Sequence, residues 1–248
     1  MIQAAPATLE ALSVSELLRW AIENFGRDFA IATSFQSEGM VLIDMAARIS
    51  RDVRIFTLDT GRLPQETYDI LEQVRGRYGV SVEVVCPEPD EVEGMVNRYG
   101  PNLFYGGLQY RRLCCEIRKV RPLNRKVGEL RAWATGLRRT QAESRSQVEK
   151  IEHEGERLKL NPLADWTSAE VERYTLENDV PRHSLYSRGY TSIGCAPCTR
   201  ATQGSEDERA GRWWWEAGSD KECGIHFTPE GKIERTVDVL LREIVQNA

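Results

Sequence analysis

Residues 29–61 read FAIATSFQSEGMVLIDMAARISRDVRIFTLDTG, and this stretch decides the fold. Phe29-Ala30-Ile31-Ala32 is a short apolar run of strand length, followed by the polar loop 33–39. Met40 to Ile49 then has helical periodicity. Val53 to Leu58 is a second apolar run, ending at Asp59-Thr60-Gly61. A strand, a polar loop, a helix and another strand make one βαβ unit, which implies parallel pairing. In such sheets ligands bind beyond the carboxyl ends of the strands, so loops 33–39 and 59–61 are the first candidate site.

Outward from this unit the pattern repeats. Leu12, Leu17, Leu18 and Ile22 give a helix over Leu9 to Phe25. Pro64 to Tyr78 reads as a helix with proline near its start. Val82 to Cys86 is a third strand, in which Cys86 is expected as a small buried hydrophobe. Ala132 to Gly136 is a fourth strand, placing a third loop, 135–141, at the same edge. The fold class is therefore α/β, a mostly parallel sheet flanked by helices. After about Pro162 the sheet pattern fades. Thr167 caps a helix running to Glu177, with Glu170 completing the box. Residues 181–231 read as a loop-rich, metal-stapled tail. Val237, Leu240, Leu241, Ile244 and Val245 form an apolar stripe that should dock on the core or on a second subunit. Two units are expected: an α/β body over 1–205 and a C-terminal tail over 206–248.

A chain of 248 residues can bury a full core. It contains no apolar run long enough for a membrane span and no secretion signal, so a cytoplasmic protein without membrane contact is expected. The net charge of −5 disfavours nucleic acid as a partner. Between Arg111 and Arg131, however, eight basic residues stand against two glutamates. That cluster is either a solvated face or an anion site for a small phosphorylated or sulfated ligand.

The chemistry is carried by cysteine. Of six cysteines, four form two tight pairs, Cys114-Cys115 and Cys195-x-x-Cys198. In a reducing compartment such pairs bind metal or do redox work. Neighbours on a helix diverge by about 100°, which suits two irons of a cubic cluster better than one zinc ion. Structural zinc remains the alternative. Cys223, in Glu222-Cys223-Gly224-Ile225-His226, follows Lys221 and precedes His226. Nearby cations lower a thiol pKa and raise the nucleophilic thiolate fraction. Half of a zinc site is the competing reading. The run Trp213-Trp214-Trp215 is expected to pack and is left outside the site.

The tandem CC, the later CxxC and the ECGIH motif, with TGLRRTQAESR (135–145) and AGRWWWE (210–216), resemble the iron–sulfur assimilatory sulfonucleotide reductases. The resemblance runs from Ala30 to Phe227. It does not account for the twenty-two residues after His226. It implies an adenine-nucleotide alpha hydrolase-like (PP-loop-like) fold and a [4Fe-4S] cluster on Cys114, Cys115, Cys195 and Cys198. It further implies that Cys223 attacks the sulfur of adenosine 5′-phosphosulfate, releasing AMP, and that thioredoxin or glutaredoxin then frees sulfite for sulfate assimilation. The implied substrate contacts are Ser34, Gly39, Asp59, Thr60 and Arg138 for the nucleotide. Lys119, Arg209, Arg212 and His226 would hold the sulfate and α-phosphate, with Arg209 and Arg212 on one helix face. Gly39 is expected to let a ligand approach the backbone. Arg138 and Arg139 have a second reading as salt-bridged surface.

Three rivals remain: a reductase of the 3′-phosphorylated substrate, a PP-loop ATP pyrophosphatase, and a non-catalytic nucleotide-binding protein with structural zinc. The pyrophosphatase needs a phosphate loop like SGGKDS, whereas TSFQSEG (33–39) has no Lys-Asp pair. A homo-oligomer is a further expectation.

Overall fold

A computed structural model describes residues 6–204, 206–216, 240, 241 and 244. The strands are β1 (Phe29–Thr33), β2 (Arg54–Leu58), β3 (Val82–Val85), β4 (Ala132–Ala134), β5 (Ile151–Glu154) and β6 (Arg157–Leu160). They form one six-stranded sheet in the order β3-β2-β1-β4-β6-β5. All pairings are parallel except β5 with β6. The chain leaves β1 in one direction through β2 and β3, then returns to place β4 on β1's other side. The strand order thus reverses between β1 and β4, which opens a crevice at their carboxyl ends.

The helices in chain order are α1 (Pro6–Glu10), α2 (Val14–Phe25), α3 (Ser37–Ile49), α4 (Gln65–Tyr78), α5 (Pro89–Tyr99), α6 (Leu108–Cys115), α7 (Arg121–Val127) and α8 (Ser168–Glu177). The single helix expected over Leu9–Phe25 is two, because Ser13 starts a new one. Its hydroxyl accepts from the Glu16 amide and the Glu16 carboxylate accepts from the Ser13 amide. The same box, Thr167 with Glu170, opens α8 as the sequence predicts.

The sheet buries both faces, with period-two alternation deciding which residue goes where. Ile31, Ile55, Ala132 and Ala134 face α2, α3 and α8 with Leu17, Leu18, Val41, Leu42 and Val171. Ala30, Phe56 and Trp133 face the other way, onto Leu123 and Val127 of α7. Burying each large aliphatic side chain contributes about 1.5–3 kcal/mol. A separate cluster joins Met95, Phe104, Leu113, Ile117 and Trp213 with Cys115, Cys195 and Cys198. Leu240, Leu241 and Ile244 of the C-terminal stripe pack on this cluster, so for them the docking surface is the core. Val237 and Val245 lie outside the described residues.

The β5–β6 hairpin was not anticipated. Its turn is short, with Gly155 at φ 66°, and charged residues alternate with Ile151, Leu158 and Leu160, which masks the apolar face. Cys86 is exposed, contrary to expectation. It follows β3, an edge strand whose outer face is so sparsely covered that Val84 is also exposed.

Candidate functional site

Three loops meet at the sheet's reversal point. After β1 the chain turns at Phe35, held in the left-handed region at φ 56° by a hydrogen bond from its amide to Thr33 Oγ1 (2.9 Å). The turn places Gln36, Ser37, Glu38 and Gly39, at the start of α3, on the wall of the crevice. Side-chain capping of α3 by Gln36 is absent. Instead, Gln36 Oε1 accepts from the Ile193 amide (2.7 Å), and the Ser37 amide donates to Tyr186 Oη (3.1 Å). Segment 186–193 is thereby stitched across the loop. Burial pushes the Tyr186 phenol up to about 12, so it stays protonated at neutral pH.

Gly39 is required for a reason other than ligand approach. A Cβ there would stand 2.5 Å from Thr33 Oγ1, so the space is taken by the protein itself. Gly136, after β4, packs equally closely, with its Cβ position 2.6 Å from Glu38 Cβ and 3.1 Å from the Gly39 amide. Arg138 follows, its Nε on Glu38 Oε1 (2.8 Å) and its Nη1 on Thr140 Oγ1 (2.8 Å). Arg139 pairs with Asp165 and Val148 O on the outside. Glu208 also stands near Arg138. Burial, reinforced by the charge of Glu38, raises its carboxyl above the usual range.

The crevice is a cleft of about 600 Å³. Of the predicted contacts, Ser34, Gly39, Thr60, Lys119, Arg138, Arg209 and Arg212 line it. Asp59 does not. Its carboxylate is engaged in the turn, accepting from the Gly61 amide (2.8 Å) and Tyr68 Oη (2.9 Å). Cys223 and His226 lie outside the described residues. Arg209 and Arg212 reach the cleft from a turn, not a shared helix face, because Arg212 pairs with Thr199 in an isolated antiparallel bridge. The guanidinium of Arg212 lies on Gly194, where any side chain would collide with it. Apolar Leu58, Leu123, Trp133 and Leu137 line the same cleft, enough to receive a flat base.

Beside the cleft lies a smaller cavity, and all four paired cysteines line it. Cys114 and Cys115 come from the end of α6. A π turn over Glu116–Val120 then joins α6 to α7 and carries Arg118 and Lys119 inward, both buried. Cys195 and Cys198 come from the opposite segment. Lys119 lines both the cleft and the cavity. Cys195 Sγ lies 3.3 Å from Thr60 Oγ1. Burial opposes the Cys195 thiolate, yet Lys119, Thr60 and Arg212 outweigh it and hold the thiol below its ordinary value. Burial together with the Cys195 charge pushes Cys198 up to about 12, and burial also raises Cys114.

The basic run 111–131 divides accordingly. Arg111, Arg118 and Lys119 face the cavity, while Arg121, Arg125 and Lys126 are ion-paired to Glu91, Glu88 and Glu83. The run is thus split between residues lining the cysteine cavity and residues in ion pairs away from it. Sequence reasoning missed Tyr186, Arg62 and Trp213, which line one of the two spaces, while Gln36 and Arg111 fell within the 33–39 loop and the basic run without a role of their own. Only Trp213 had a local signal, the unusual RWWWE run.

The reversal-point cleft and the adjoining thiol cavity define a nucleotide-binding α/β enzyme of the adenine-nucleotide alpha hydrolase-like class. The model of the phosphoadenosine phosphosulfate reductase domain matches residues 28–201. The adenosine 5′-phosphosulfate reductase of Burkholderia cepacia is 46% identical over 199 residues, 79% of this chain and 80% of that protein. The enzyme of the same name from Pseudomonas aeruginosa (strain LESB58) is 43% identical over 233 residues, 91% of this chain and 86% of that protein. Among solved structures, the phosphoadenylyl-sulfate reductase of Candida auris, in a phosphate complex, superposes with a TM-score of 0.66 at 29% identity, covering 79% of this chain and 98% of that one. The FMN adenylyltransferase of Candida glabrata shares the fold alone, at 13% identity and a TM-score of 0.52. The chain belongs to the phosphoadenosine phosphosulfate reductase family.

Proposed function

We propose that this protein reduces adenosine 5′-phosphosulfate to sulfite and AMP in sulfate assimilation. The observation that carries the reading is the sharing of Lys119 between a cation-lined cleft and the cavity on which all four paired cysteines converge. The relatives named adenosine 5′-phosphosulfate reductase support it over most of the chain.

In this reading the Cys223 thiolate attacks the sulfur, the S–O bond to the phosphate breaks, and AMP leaves with the electron pair. A thioredoxin or glutaredoxin dithiol attacks the Cys223 sulfur and expels sulfite. A second thiol attack then resolves the mixed disulfide, so the partner supplies both electrons. Arg212 and Lys119 hold the phosphosulfate, with Arg209 and His226 completing the clamp. Charge growing on the leaving phosphate is thereby met by fixed cations. The tail over 206–248 would deliver the nucleophile to the body over 1–205.

The cysteine cavity fits a [4Fe-4S] cluster in its donor set: four sulfurs, with Arg62, Arg111, Arg118 and Lys119 around them to offset thiolate charge. The same four sulfurs could also serve zinc, and the tandem Cys114-Cys115 is what favours the cluster. When bound, the cluster supplies a fixed charge distribution beside Lys119. The thiol chemistry of this reading requires a reducing compartment such as the cytoplasm. No described helix is long and apolar enough to cross a membrane.

The test is to incubate reduced, anaerobic, cluster-loaded protein with the unphosphorylated and the 3′-phosphorylated sulfonucleotide separately, without a dithiol partner, and to map the modified peptide by mass. A sulfonate on Cys223 with the unphosphorylated substrate, discharged by thioredoxin, is the expected result. An adduct only with the 3′-phosphorylated substrate overturns the substrate assignment. No adduct with either overturns the nucleophile.

A further inference from the structure

Arg111, on the wall of the cysteine cavity, makes a buried ion pair with Glu216, a partner with no role assigned so far. Arg111 sits on α6 three and four residues before the tandem cysteines and is completely buried. Its Nε donates to Glu216 Oε1 (2.8 Å) and its Nη2 to Glu216 Oε2 (2.9 Å), a two-pronged pair. Its guanidinium also lies 4.3 Å from the centroid of the Trp213 indole. The guanidinium of Arg212, on the cleft wall, lies 4.7 Å from the same centroid. Two cations therefore share one aromatic ring, and Glu216 supplies the carboxylate that neutralises the deeper one.

Trp213 is 1% exposed and adopts the left-handed region at φ 43°, unusual for a bulky side chain. Its amide donates to Cys198 O (3.1 Å), and the Glu216 amide donates back to Trp213 O (2.9 Å). The turn 212–216 is thus tied to α6 through Arg111 and to the second cysteine pair through Cys198. Arg212 is held less firmly. Its Nη1 contacts to Ser192 Oγ (3.4 Å) and Ile193 O (3.3 Å) are long, and its buried Nε has no hydrogen-bond partner. Removing the Glu216 charge would strengthen the repulsion between Arg111 and Arg212, whose guanidinium groups lie 4.3 and 4.7 Å from one ring centroid. Arg111, enclosed on all sides, cannot retreat, so Arg212 would shift.

We infer that Arg111 and Glu216 are positioning residues that hold the Arg212 guanidinium, through Trp213, at the place in the cleft where it meets a nucleotide phosphate. This inference rests on the cleft's being a sulfonucleotide site.

The test measures equilibrium binding of AMP and of adenosine to the cluster-loaded protein, wild type against Glu216→Gln, Glu216→Asp and Arg111→Lys. Loss of Arg212's alignment weakens only the ligand that carries phosphate. Glu216→Gln should raise the AMP Kd about fivefold or more while adenosine changes less than about twofold, and Glu216→Asp, which keeps the carboxylate, should recover most of the loss. Equal weakening of AMP and adenosine would mean a general structural role and overturn the inference. Unchanged binding of both would overturn it too. If Glu216→Gln does not fold, the same phosphate-selective loss must appear in Arg111→Lys, and its absence there counts against the idea. Failure of the wild-type protein to bind AMP is a different result: it removes the sulfonucleotide reading itself.

Discussion

The hydroxyl of Thr60 lies 3.3 Å from the sulfur of Cys195, so the loop at the end of β2 touches the second cysteine pair directly. Arg118 Nη1 donates to the Thr60 carbonyl from the other side (2.6 Å), fixing the loop between the cavity and the cleft.

That contact gives a first prediction. A hydrogen bond to a charged acceptor contributes about 1.5–3 kcal/mol, so Thr60→Val should weaken retention of the cysteine-bound cluster about tenfold or more. Iron content followed during chelator challenge measures this. Thr60→Ser should behave like wild type, and equal retention in Thr60→Val would show the contact to be incidental.

Gly136→Ala is the sharpest test of the reversal-point packing. The added methyl would meet Glu38 Cβ at 2.6 Å and the Gly39 amide at 3.1 Å, and backbone cannot swing aside as a side chain can. Destabilisation of about 1–3 kcal/mol is expected, with weaker AMP binding because α3 must move off β4. Chemical denaturation and nucleotide titration report the two effects.

Stability should depend on pH through His183. Its Nδ1 accepts from the Leu185 amide (3.3 Å), so in the neutral ring Nε2 carries the proton toward Thr67 Oγ1 (3.0 Å). Burial lowers the imidazole pKa in the folded state, against the charges of Glu66 and Asp69. The unfolded chain then binds the proton more readily. The contribution is complete above the unfolded value of about 6.5 and is lost as pH falls below it. Melts at about pH 8 and about pH 5.5 should show a smaller drop for His183→Asn than for wild type. An identical drop would assign the acid sensitivity elsewhere.

Cys86 is exposed while Cys195 and Cys198 are buried. Brief alkylation of cluster-loaded protein should therefore label Cys86 well before either. Cys86→Ser should leave the rate of Cys223 sulfonation within about twofold, since the thiol lies on neither wall of the site. A large fall in rate would give this residue a part in the chemistry.

Much of the architecture was legible because it depends on local pattern. The runs at 29–32, 53–58, 82–86 and 132–136 mark β1 to β4, four of the five mutually parallel strands, and the Thr167–Glu170 box opens α8 as read. Where charge alternates with apolar residues, as in Ile151–Leu160, the same logic was available but obscured. The split of the first helix turned on Ser13, a cap whose partner Glu16 lies only three residues away.

The sequence by itself determined the sheet class, the loops that face the cleft and the identity of the cysteine pairs, since periodicity and motif spacing are properties of the chain. It could not determine which of those residues meet. Asp59 turned inward to its own loop, Gly39 answered to Thr33, and Arg209 and Arg212 entered from a bridged turn. Arg111 and Glu216 are 105 residues apart, and nothing local to either marks the partner. Only the tertiary structure decided these, because burial leaves a charged group no alternative to whatever opposite charge the packing brings within reach.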